Sequence, residues 1–434
     1  MTRVSVIIPT HNRSGQLRRT LDALCRQAYS LIQIEVVVVA DGCTDDTMDM
    51  LRDYEAPFDL RIMPQPNLGP AEARNRGAAG ASGEVLIFLD DDIEGAPSLI
   101  EAHVKAHQQN PGHVVIGYLP LALSGRNGFF NNELRNWWEA MFDVMRQPGH
   151  RYSYKDLLSG NFSIEREVFE KLGGFNPDFW CHEDYEFGIR LIKEDIPFIF
   201  AIDAFGYHYE MTDLERSLQR KYEEGKADIP IGYLHPELRP VLPFARFKGG
   251  LSLLGRILCA LAFRWPVAGK LLLVPRHLVL KFLEKAGLRR YWRRLLDGLL
   301  AYFYWRGVAE VLGTEQELEK LLETKSASSN GNGSEIEIDL REGIEAAEER
   351  LDKERPSSVR LRYGQWPVGR ILPKTGAENL RGTHLRPALA TQLVGYFMKA
   401  LAIEGAIDLK VNTQQVLTVS SPTSFESDFP QINI

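Results

Sequence analysis

The chain has 434 residues, which exceeds one ordinary domain and predicts two or three structural units. Hydrophobic residues make up 44% of the sequence and charged residues 25%, proportions that are ordinary for a soluble globular protein. The net charge of -7 provides no electrostatic basis for binding nucleic acid, so that class of partner is not expected.

The first part of the chain, up to about residue 201, alternates short apolar runs, polar turns and helical periodicity. Ser14 is predicted to cap a helix after the first strand, and Pro70 opens another helix at a first-turn position. Continuously apolar strands that alternate with helices indicate an α/β fold with a mostly parallel central sheet. The predicted strands are residues 4–8, 35–40, 60–63 and 85–89.

The segment 246–306 is basic and aromatic, with 13 Lys or Arg residues against two acidic residues, Glu284 and Asp297. Its apolar runs are interrupted before they reach the roughly 18 residues that are needed to cross a bilayer. One interpretation is a set of helices that lie on a membrane surface. The other is a helical subdomain whose apolar faces pack on each other, and the charge pattern leaves both open.

The C-terminal part contains an acidic helical run at 310–323 and the linker-like run SASSNGNGS at 326–334. Residues 335–354 are again acidic and are predicted to be helical. Short strand-like pieces and one helical run from Val359 onwards predict a small α+β module of unknown role. The predicted organisation is a first domain over 1–235, a helical basic segment over 236–325, a linker and acidic helix over 326–358, and the module over 359–434.

The cysteines and the N-terminal residues provide a prediction of where in the cell the protein is located. The four cysteines lie far apart without metal-type spacing, which predicts reduced thiols in a cytoplasmic protein. The first residues enter a strand directly, without the pattern of a signal peptide. The predicted location is therefore cytoplasmic, with peripheral attachment to the inner face of the cell membrane if 246–306 lies on a membrane. The cysteines are Cys25, Cys43, Cys181 and Cys259.

Polar clusters follow three of the predicted strands: PTHNR, ADGCTDD and the acidic triplet Asp90–Asp92. Ligands of open α/β sheets bind beyond the carboxyl ends of the strands, so these clusters are expected to face one crevice. Asp41 is suited to a base N–H or a ribose hydroxyl, while the alternative for this turn is that Asp45 or Asp46 caps the next helix. No P-loop and no G-x-G-x-x-G follows a strand, so nucleotide phosphates would have to be held differently.

The acidic triplet offers such an alternative, because carboxylates are ligands of Mg²⁺ or Mn²⁺, and these ions bridge phosphate oxygens. Clustered carboxylates without a cation would repel one another and raise their own pKa values. A solvated acidic turn is the competing interpretation, but it is disfavoured directly after five apolar residues. The sequence therefore favours a divalent metal.

A second acidic group, Glu183 and Asp184, lies in the first turn of a predicted helix. These residues either cap that helix or include a general base for an acceptor hydroxyl. A nucleophile formed by Cys181 and His182 has no evident setting that would stabilise a thiolate. His208 follows an apolar segment and is either a metal ligand or a packed histidine.

Four motifs occur in order over about residues 3–230, and together they resemble the family 2 inverting glycosyltransferases of GT-A fold. The resemblance implies a nucleotide-sugar site and a metal site with Asp92 as a ligand, Asp90 near the ribose or the metal, and His208 as a further ligand. It also implies Asp184 as the catalytic base, with Glu183 as the competing assignment. The residues of the implied nucleotide-sugar site are Pro9, Thr10, Asn12, Asp41, Arg74, Asp90 and Asp91. The motifs are VSVIIPTHNR, VVVADGCTDDT, NLGPAEARNRGAAGASGEVLIFLDDDI and SGNFSIEREVFEKLGGF…HEDYEFGIRL.

One departure concerns ADG at residues 40–42, where the family usually has two acids before the glycine, so it stays open which contact Asp41 makes. The resemblance implies a UDP-, GDP- or dTDP-linked sugar donor and a glycan, glycolipid or other hydroxyl acceptor, in cell-surface polysaccharide or glycolipid synthesis. A nucleotidyltransferase is one alternative, but PTHNRSG is a poor match to its Gly-rich basic loop. The other is a catalytically inactive nucleotide-sugar or carbohydrate-binding module, which would not need a base.

Overall fold

The computed structural model describes residues 2–122, 128–209, 212–265, 275–323, 334–406 and 431–432. The chain divides into two compact units. The first unit consists of Met1–Asp143 and Tyr154–Ala327, and the second consists of Val144–Ser153 and Ser328–Ile434.

Eight strands form the sheet of the first unit, in the spatial order β3-β2-β1-β4-β7-β6-β8-β5. The neighbours among β3, β2, β1 and β4 are parallel, as are β6 and β8, while β7 and β5 run antiparallel to their neighbours. The predicted mostly parallel sheet is therefore confirmed. The strands are β1 Val4–Thr10, β2 Ile34–Asp41, β3 Asp59–Gln65, β4 Val85–Leu89, β5 Ile93–Gly95, β6 Val114–Tyr118, β7 Asn161–Glu165 and β8 Phe198–His208.

Burial explains why the central strands lack polar alternation. Every residue of β2 and β4 is buried, although successive side chains point to opposite faces of the sheet. Both faces are therefore covered, as parallel sheets require. The helices of this part of the chain are α1 Ser14–Leu24, α2 Thr47–Arg52, α3 Pro70–Gly80, α4 Leu99–Gln109, α5 Phe129–Met145, α6 Arg166–Lys171 and α7 Glu183–Lys193.

Of two predicted helix starts, one agrees with the structure and one differs from it. Pro70 is the first residue of α3, as expected. Ser14 does not cap α1: it is the first helical residue, and its N–H faces the Asp45 carboxylate at 3.4 Å. Asp45 Oδ1 also accepts the N–H of Thr47 at 3.1 Å, so this aspartate serves the starts of both helices.

A neutral hydrogen-bonded chain ties β7 to α4. His103 lies between Asn161 and Ser163, and Ser163 contacts His107 at 2.8 Å. Asn161 also donates to the carbonyl of Ala204 at 2.9 Å, which links β7 to β8. Burial lowers the pKa of each histidine to about 4, so both rings are uncharged at neutral pH and the network does not place a charge in the core.

A helical layer follows the sheet, and its two longest helices touch through glycines. A Cβ on Gly225 would clash with the carbonyl of Tyr304, and a Cβ on Gly307 would clash with that of Tyr222. The two backbones can therefore approach only because neither residue has a side chain. The helices of this layer are α8 Leu214–Leu234, α9 Leu253–Arg264, α10 Arg276–Lys285, α11 Arg289–Leu312 and α12 Glu315–Glu323. Among the residues that the structure covers, none of the helices has the length and apolarity to span a bilayer.

The second unit contains a four-stranded sheet in the order β12-β11-β10-β9. The prediction of a helix throughout 335–354 is wrong at its start, because β9 pairs in parallel with β10. The sequence EIEID alternates charged and apolar residues with the period of a strand, and Ile338 is buried in this unit's core. The strands are β9 Glu335–Asp339, β10 Ser358–Tyr363, β11 Trp366–Ile371 and β12 Gln431–Ile432. The helices are α13 Ile344–Glu354, α14 Leu385–Ala390 and α15 Val394–Ile403.

The short segment Val144–Ser153 belongs to this second unit and is held there by a buried arginine. The guanidinium of Arg151 donates to the backbone carbonyls of Ser357, Leu372 and Glu378 at 2.6 to 3.0 Å. Burial lowers the pKa of Arg151 to about 10. The unit therefore includes residues on both sides of the predicted boundary at 359.

Candidate active site

The turns after β1, β2 and β4 meet at one edge of the sheet. Thr10 donates to Asp91 Oδ2 at 2.7 Å, and the ring of His11 contacts the carbonyl of Asp41 at 2.6 Å. Asn12, in a left-handed conformation with φ 55°, accepts the N–H of Thr44 at 2.7 Å. Three polar clusters that are far apart in the sequence thus surround one crevice.

The three aspartates of the acidic triplet face different partners. Asp90 is half-buried and accepts from Arg74 at 2.7 Å. Asp91 points inward and accepts from Thr10 and from Arg13 Nη1, the latter at 3.0 Å. Burial raises the pKa of Asp91 to about 6, against the opposing charge of Arg13. Asp90 and Asp91 are therefore both engaged by other side chains of the protein.

Asp92 lies between Arg13 and His208. Its Oδ2 accepts from Arg13 at 2.9 Å, and its Oδ1 lies 3.4 Å from His208 Nε2, because β5 and β8 pair at Ile93 and His208. Burial alone would raise the pKa of Asp92, but the contact with His208 and the charge of Arg13 outweigh it and lower that pKa. Arg13 and His208 therefore stabilise the ionised form of the buried Asp92 carboxylate.

These residues provide two neighbouring ligands for a divalent ion. Two ligands that each lie about 2.1 Å from an octahedral ion are about 3 Å apart, which is close to the separation of Asp92 Oδ1 and His208 Nε2. Asp90, the third predicted ligand, is turned toward Arg74. In the parts of the chain that the structure describes, no group of three His, Cys, Asp or Glu residues is arranged to hold a metal. Mg²⁺ sites commonly use one or two protein ligands together with substrate phosphates and water, and the Asp92–His208 pair fits that description.

Arg74 joins the acidic triplet to the acidic start of α7. Its side chain is buried, and it donates to Asp90 at 2.7 Å and to Glu183 at 2.8 Å. The sequence predicts that Arg74 approaches the nucleotide, which stays a prediction. In the structure it is an internal cation shared by two carboxylates.

Glu183 and Asp184 have different environments. Glu183 is buried, bonded to Arg74, and 3.4 Å from the hydroxyl of Ser159; burial and the charge of Asp184 raise its pKa. Asp184 is only partly buried, accepting the N–H of Tyr185 at 2.8 Å and that of Ser159 at 3.4 Å. Of the two, Asp184 has the freer carboxylate.

A buried aspartate from α8 supports the residue that precedes this pair. His182 has a left-handed backbone, with φ 62°, and its Nδ1 lies 3.1 Å from Asp228 Oδ1. Tyr304 donates to the other oxygen of Asp228 at 2.7 Å. Burial and the charge of Glu183 raise the pKa of the Cys181 thiol, which argues against the Cys–His nucleophile.

The carboxylate of Asp41 is engaged by the loop before α3. It accepts from Gln65 at 2.8 Å and from the N–H groups of Leu68 and Gly69 at 2.8 and 3.0 Å. The indole of Trp180, which is exposed, covers Gly69, where a Cβ would lie 3.2 Å from the ring. Asp41 therefore orders this loop, and its predicted contact with a nucleoside stays a prediction.

The remaining predicted residue, Pro9, lies half-buried near the end of β1. Sequence reasoning missed three residues: Arg13, Ser159 and Asp228. Arg13 and Ser159 lie inside the quoted motifs, but nothing in their spacing indicates a partner. Asp228 is separated from His182 by more than 40 positions, and only the packing of α8 reveals the contact.

Glycine is required where the turn before β7 meets the acidic triplet. The N–H of Asp90 donates to the carbonyl of Gly160 at 3.1 Å, and a Cβ at Gly160 would lie 2.8 Å from the Asp90 carboxylate.

A polar cavity of about 680 Å³ opens beside Asp92. It is lined by His11, Asn12, Arg13, Gln16, Asp92, Asp213 and Arg216.

Two family models match the chain. Residues 5–173 match the model described as glycosyl transferase family 2, and residues 139–213 match the model described as the N-terminal domain of galactosyltransferase. Both matches include residues of the crevice described above. Helices α8 to α12 lie outside both matches.

Curated relatives match over a similar part of the chain. The sequence is 31% identical over 282 residues to validoxylamine A glucosyltransferase of Streptomyces hygroscopicus subsp. jinggangensis, covering 57% of this chain and 64% of that protein. It is 27% identical over 180 residues to glucosyl-dolichyl phosphate glucuronosyltransferase of Haloferax volcanii, covering 40% and 56%. The chain thus spans less than two thirds of the length of these relatives.

Among solved structures, the chain is similar to a mannosyltransferase of Pyrobaculum calidifontis in complex with GDP-Man and Mn²⁺. The sequence identity is 20% and the TM-score is 0.46, covering 69% of this chain and 86% of that chain.

Proposed function

We propose that this protein, whose residues 5–173 match the model of glycosyl transferase family 2, transfers a sugar from a nucleotide-diphosphate sugar to a hydroxyl acceptor, with inversion at the anomeric carbon. The main support is the pairing of two acidic groups at one crevice. Asp92 lies beside His208, and Asp184 is the freer member of a pair whose other member is bonded to Arg74. Two acids with different tasks need such different environments.

We assign Asp92 and His208 as the protein ligands of Mg²⁺ or Mn²⁺, with Asp90 beside them at the ribose or the metal. When bound, the ion would neutralise charge on the diphosphate and make it a better leaving group. Arg13 donates to Asp91 and Asp92 in the structure, and it would supply a second positive charge to a diphosphate bound there. Asp91 acts through Arg13 and Thr10, since its two oxygens already accept from them.

Asp184 is the proposed base. It removes the proton of the acceptor hydroxyl as that oxygen attacks the anomeric carbon. The electron pair of the breaking carbon–oxygen bond leaves with the diphosphate, so one displacement inverts the carbon without a covalent intermediate. Glu183 is less suited to this task, because its carboxylate is buried and shared with Arg74.

The nucleoside is proposed to bind over the turns after β1 and β2. Pro9, Thr10, Asn12 and Asp41 lie there, and Arg74 lies behind Asp90. The base is that of a UDP-, GDP- or dTDP-linked donor. The names of the two curated relatives include glucosyl and glucuronosyl transfer, which supports a hexose-type sugar.

A panel of nucleotide sugars measured by thermal shift with Mn²⁺ tests this function. One donor is expected to raise the melting temperature, because a ligand at about 100 times its Kd stabilises the native state by about 2.7 kcal/mol. The same donor should be hydrolysed slowly or transferred to an acceptor. Binding without turnover across a broad acceptor panel would instead indicate an inactive binding module, and transfer of a nucleotidyl group would indicate the nucleotidyltransferase.

We also propose that the basic segment 246–306 lies on the inner face of the cell membrane, where it would receive a glycolipid acceptor. The apolar part of α11 is largely buried, which agrees with a packed subdomain. Helices α9 and α10 differ, since Arg256 and Lys281 are exposed beside large apolar side chains that are also exposed. Such exposed patches are typical of interaction surfaces. The exposed apolar side chains are Leu253, Leu254, Ile257, Trp265, Leu278 and Phe282.

Vesicle sedimentation distinguishes the two interpretations of this segment. The protein is expected to bind anionic vesicles more tightly than neutral ones, and more weakly as salt rises, because the attraction is partly electrostatic. The double variant Leu253→Glu with Leu278→Glu should lose most of this binding, whereas Ile32→Glu, at another exposed site, should retain it. Equal binding to both vesicle types, or to neither, would favour the packed subdomain.

A further inference from the structure

A second cavity lies between α5, α8 and α11, and it encloses about 260 Å³. Its apolar lining includes Leu134, Leu296 and Leu300, with the indoles of Trp137 and Trp138 beside them. Helices α8 and α11 lie outside both family matches. The sequence motifs therefore assign no role to this cavity.

The cavity is close to both halves of the proposed reaction centre. On one side, the ring of Trp138 lies 5.2 Å from that of His208, and His208 contacts Asp92. On the other side is Glu224 of α8. Asp228, one helical turn farther along α8, lies 3.1 Å from His182, two residues before the proposed base Asp184. The cavity therefore lies near the start of α7, where the proposed base is located.

We propose that this cavity binds the acceptor, and that the acceptor presents a neutral, hydroxyl-rich sugar ring there. This inference rests on the proposed function, because it places the acceptor next to the base and the metal ligands. It names a class of acceptor that the crevice alone does not indicate.

The charges of the lining favour an uncharged ligand. Three cations and three carboxylates line the cavity, so their formal charges cancel and offer no net attraction to a phosphate or carboxylate group. Arg293 pairs with Glu133 at 3.3 Å, and Lys221 pairs with Glu224. Ion pairs of this kind present both donors and acceptors, which is what sugar hydroxyls require. The six residues are Glu133, Arg220, Lys221, Glu224, Arg293 and Asp297.

The aromatic lining favours a ring with an apolar face. Trp137 is 53% exposed, so its indole is available to a ligand. A large rigid indole provides contact area at low entropic cost, and a few polar groups in an apolar pocket fix orientation. An alkyl chain would contact the leucines but would displace water from the charged groups without replacing its hydrogen bonds, at a cost in desolvation.

Saturation-transfer NMR with sugar probes tests the assignment. The probes are methyl glycosides of glucose, galactose and mannose, together with octyl β-glucoside, each added to the full-length protein. At least one methyl glycoside is expected to bind. Trp137→Ala should weaken that binding by about tenfold or more, as expected for an aromatic anchor. Leu296→Trp, which fills the cavity, should abolish it, and Trp265→Ala, at an exposed site elsewhere, should not change it.

The donor panel separates failure of this inference from failure of the proposed function. Both cavity variants are expected to keep the donor-induced rise in melting temperature, because neither residue lines the cavity beside Asp92. The inference is overturned if no methyl glycoside binds, if binding survives in Trp137→Ala and Leu296→Trp, or if only octyl β-glucoside binds. Absence of any donor-induced shift in the wild-type protein would contradict the proposed function instead.

Discussion

The variant Asp184→Asn is expected to lower kcat for sugar transfer by about 10²- to 10⁴-fold, the range over which general bases contribute. Asparagine has nearly the same shape, and its carbonyl oxygen can still accept the N–H of Tyr185. It cannot remove a proton from the acceptor. Donor binding, measured by thermal shift with Mn²⁺, is therefore expected to stay close to that of the wild-type protein.

Glu183→Gln is the matched control for this prediction. It is expected to affect stability more than chemistry, because it removes one of the two carboxylates that compensate the buried guanidinium of Arg74. Its melting temperature should fall. The assignment of Asp184 would be wrong if Asp184→Asn transferred sugar normally while Glu183→Gln remained folded and bound donor without transferring it.

The second large effect is expected from Asp92→Ala, which removes one of the two neighbouring ligands assigned to the metal. Stabilisation of charge by a bound ion contributes several kcal/mol to the transition state, so transfer should fall by about 10³-fold or more. The Mn²⁺-dependent part of the donor-induced thermal shift should disappear as well. Chelation of divalent ions should have the same effect on the wild-type protein.

Asp46→Ala is the control for Asp92→Ala, because Asp46 lies in a neighbouring turn and its side chain makes no capping hydrogen bond to α2. It should leave both transfer and the thermal shift intact. Wild-type-like transfer by Asp92→Ala, or transfer that persists at full rate after chelation, would contradict the metal assignment. Retention of the metal dependence in Asp92→Ala would indicate that other residues bind the ion.

The strands of the central sheet were predictable because burial on both faces leaves a signal within a few consecutive residues. Residues 85–89 are continuously apolar and form β4, and 35–40 lie within β2. The strand β9 had a comparable signal in the alternation of EIEID, but its many acidic residues favoured a helix in the prediction. Pairing with the basic strand β10 offsets those charges, as in the contact of Glu335 with Arg360.

The sequence by itself determined the α/β class and the collection of acidic and polar groups at the strand ends, because both depend on local patterns. Only the tertiary structure decided which partner each acid faces: Arg74 for Asp90 and Glu183, Arg13 for Asp91, and His208 for Asp92. Most of these pairs are separated by many positions in the chain. Their pKa values depend on burial and on those neighbours, which are set when the strands and helices pack and cannot be read from spacing.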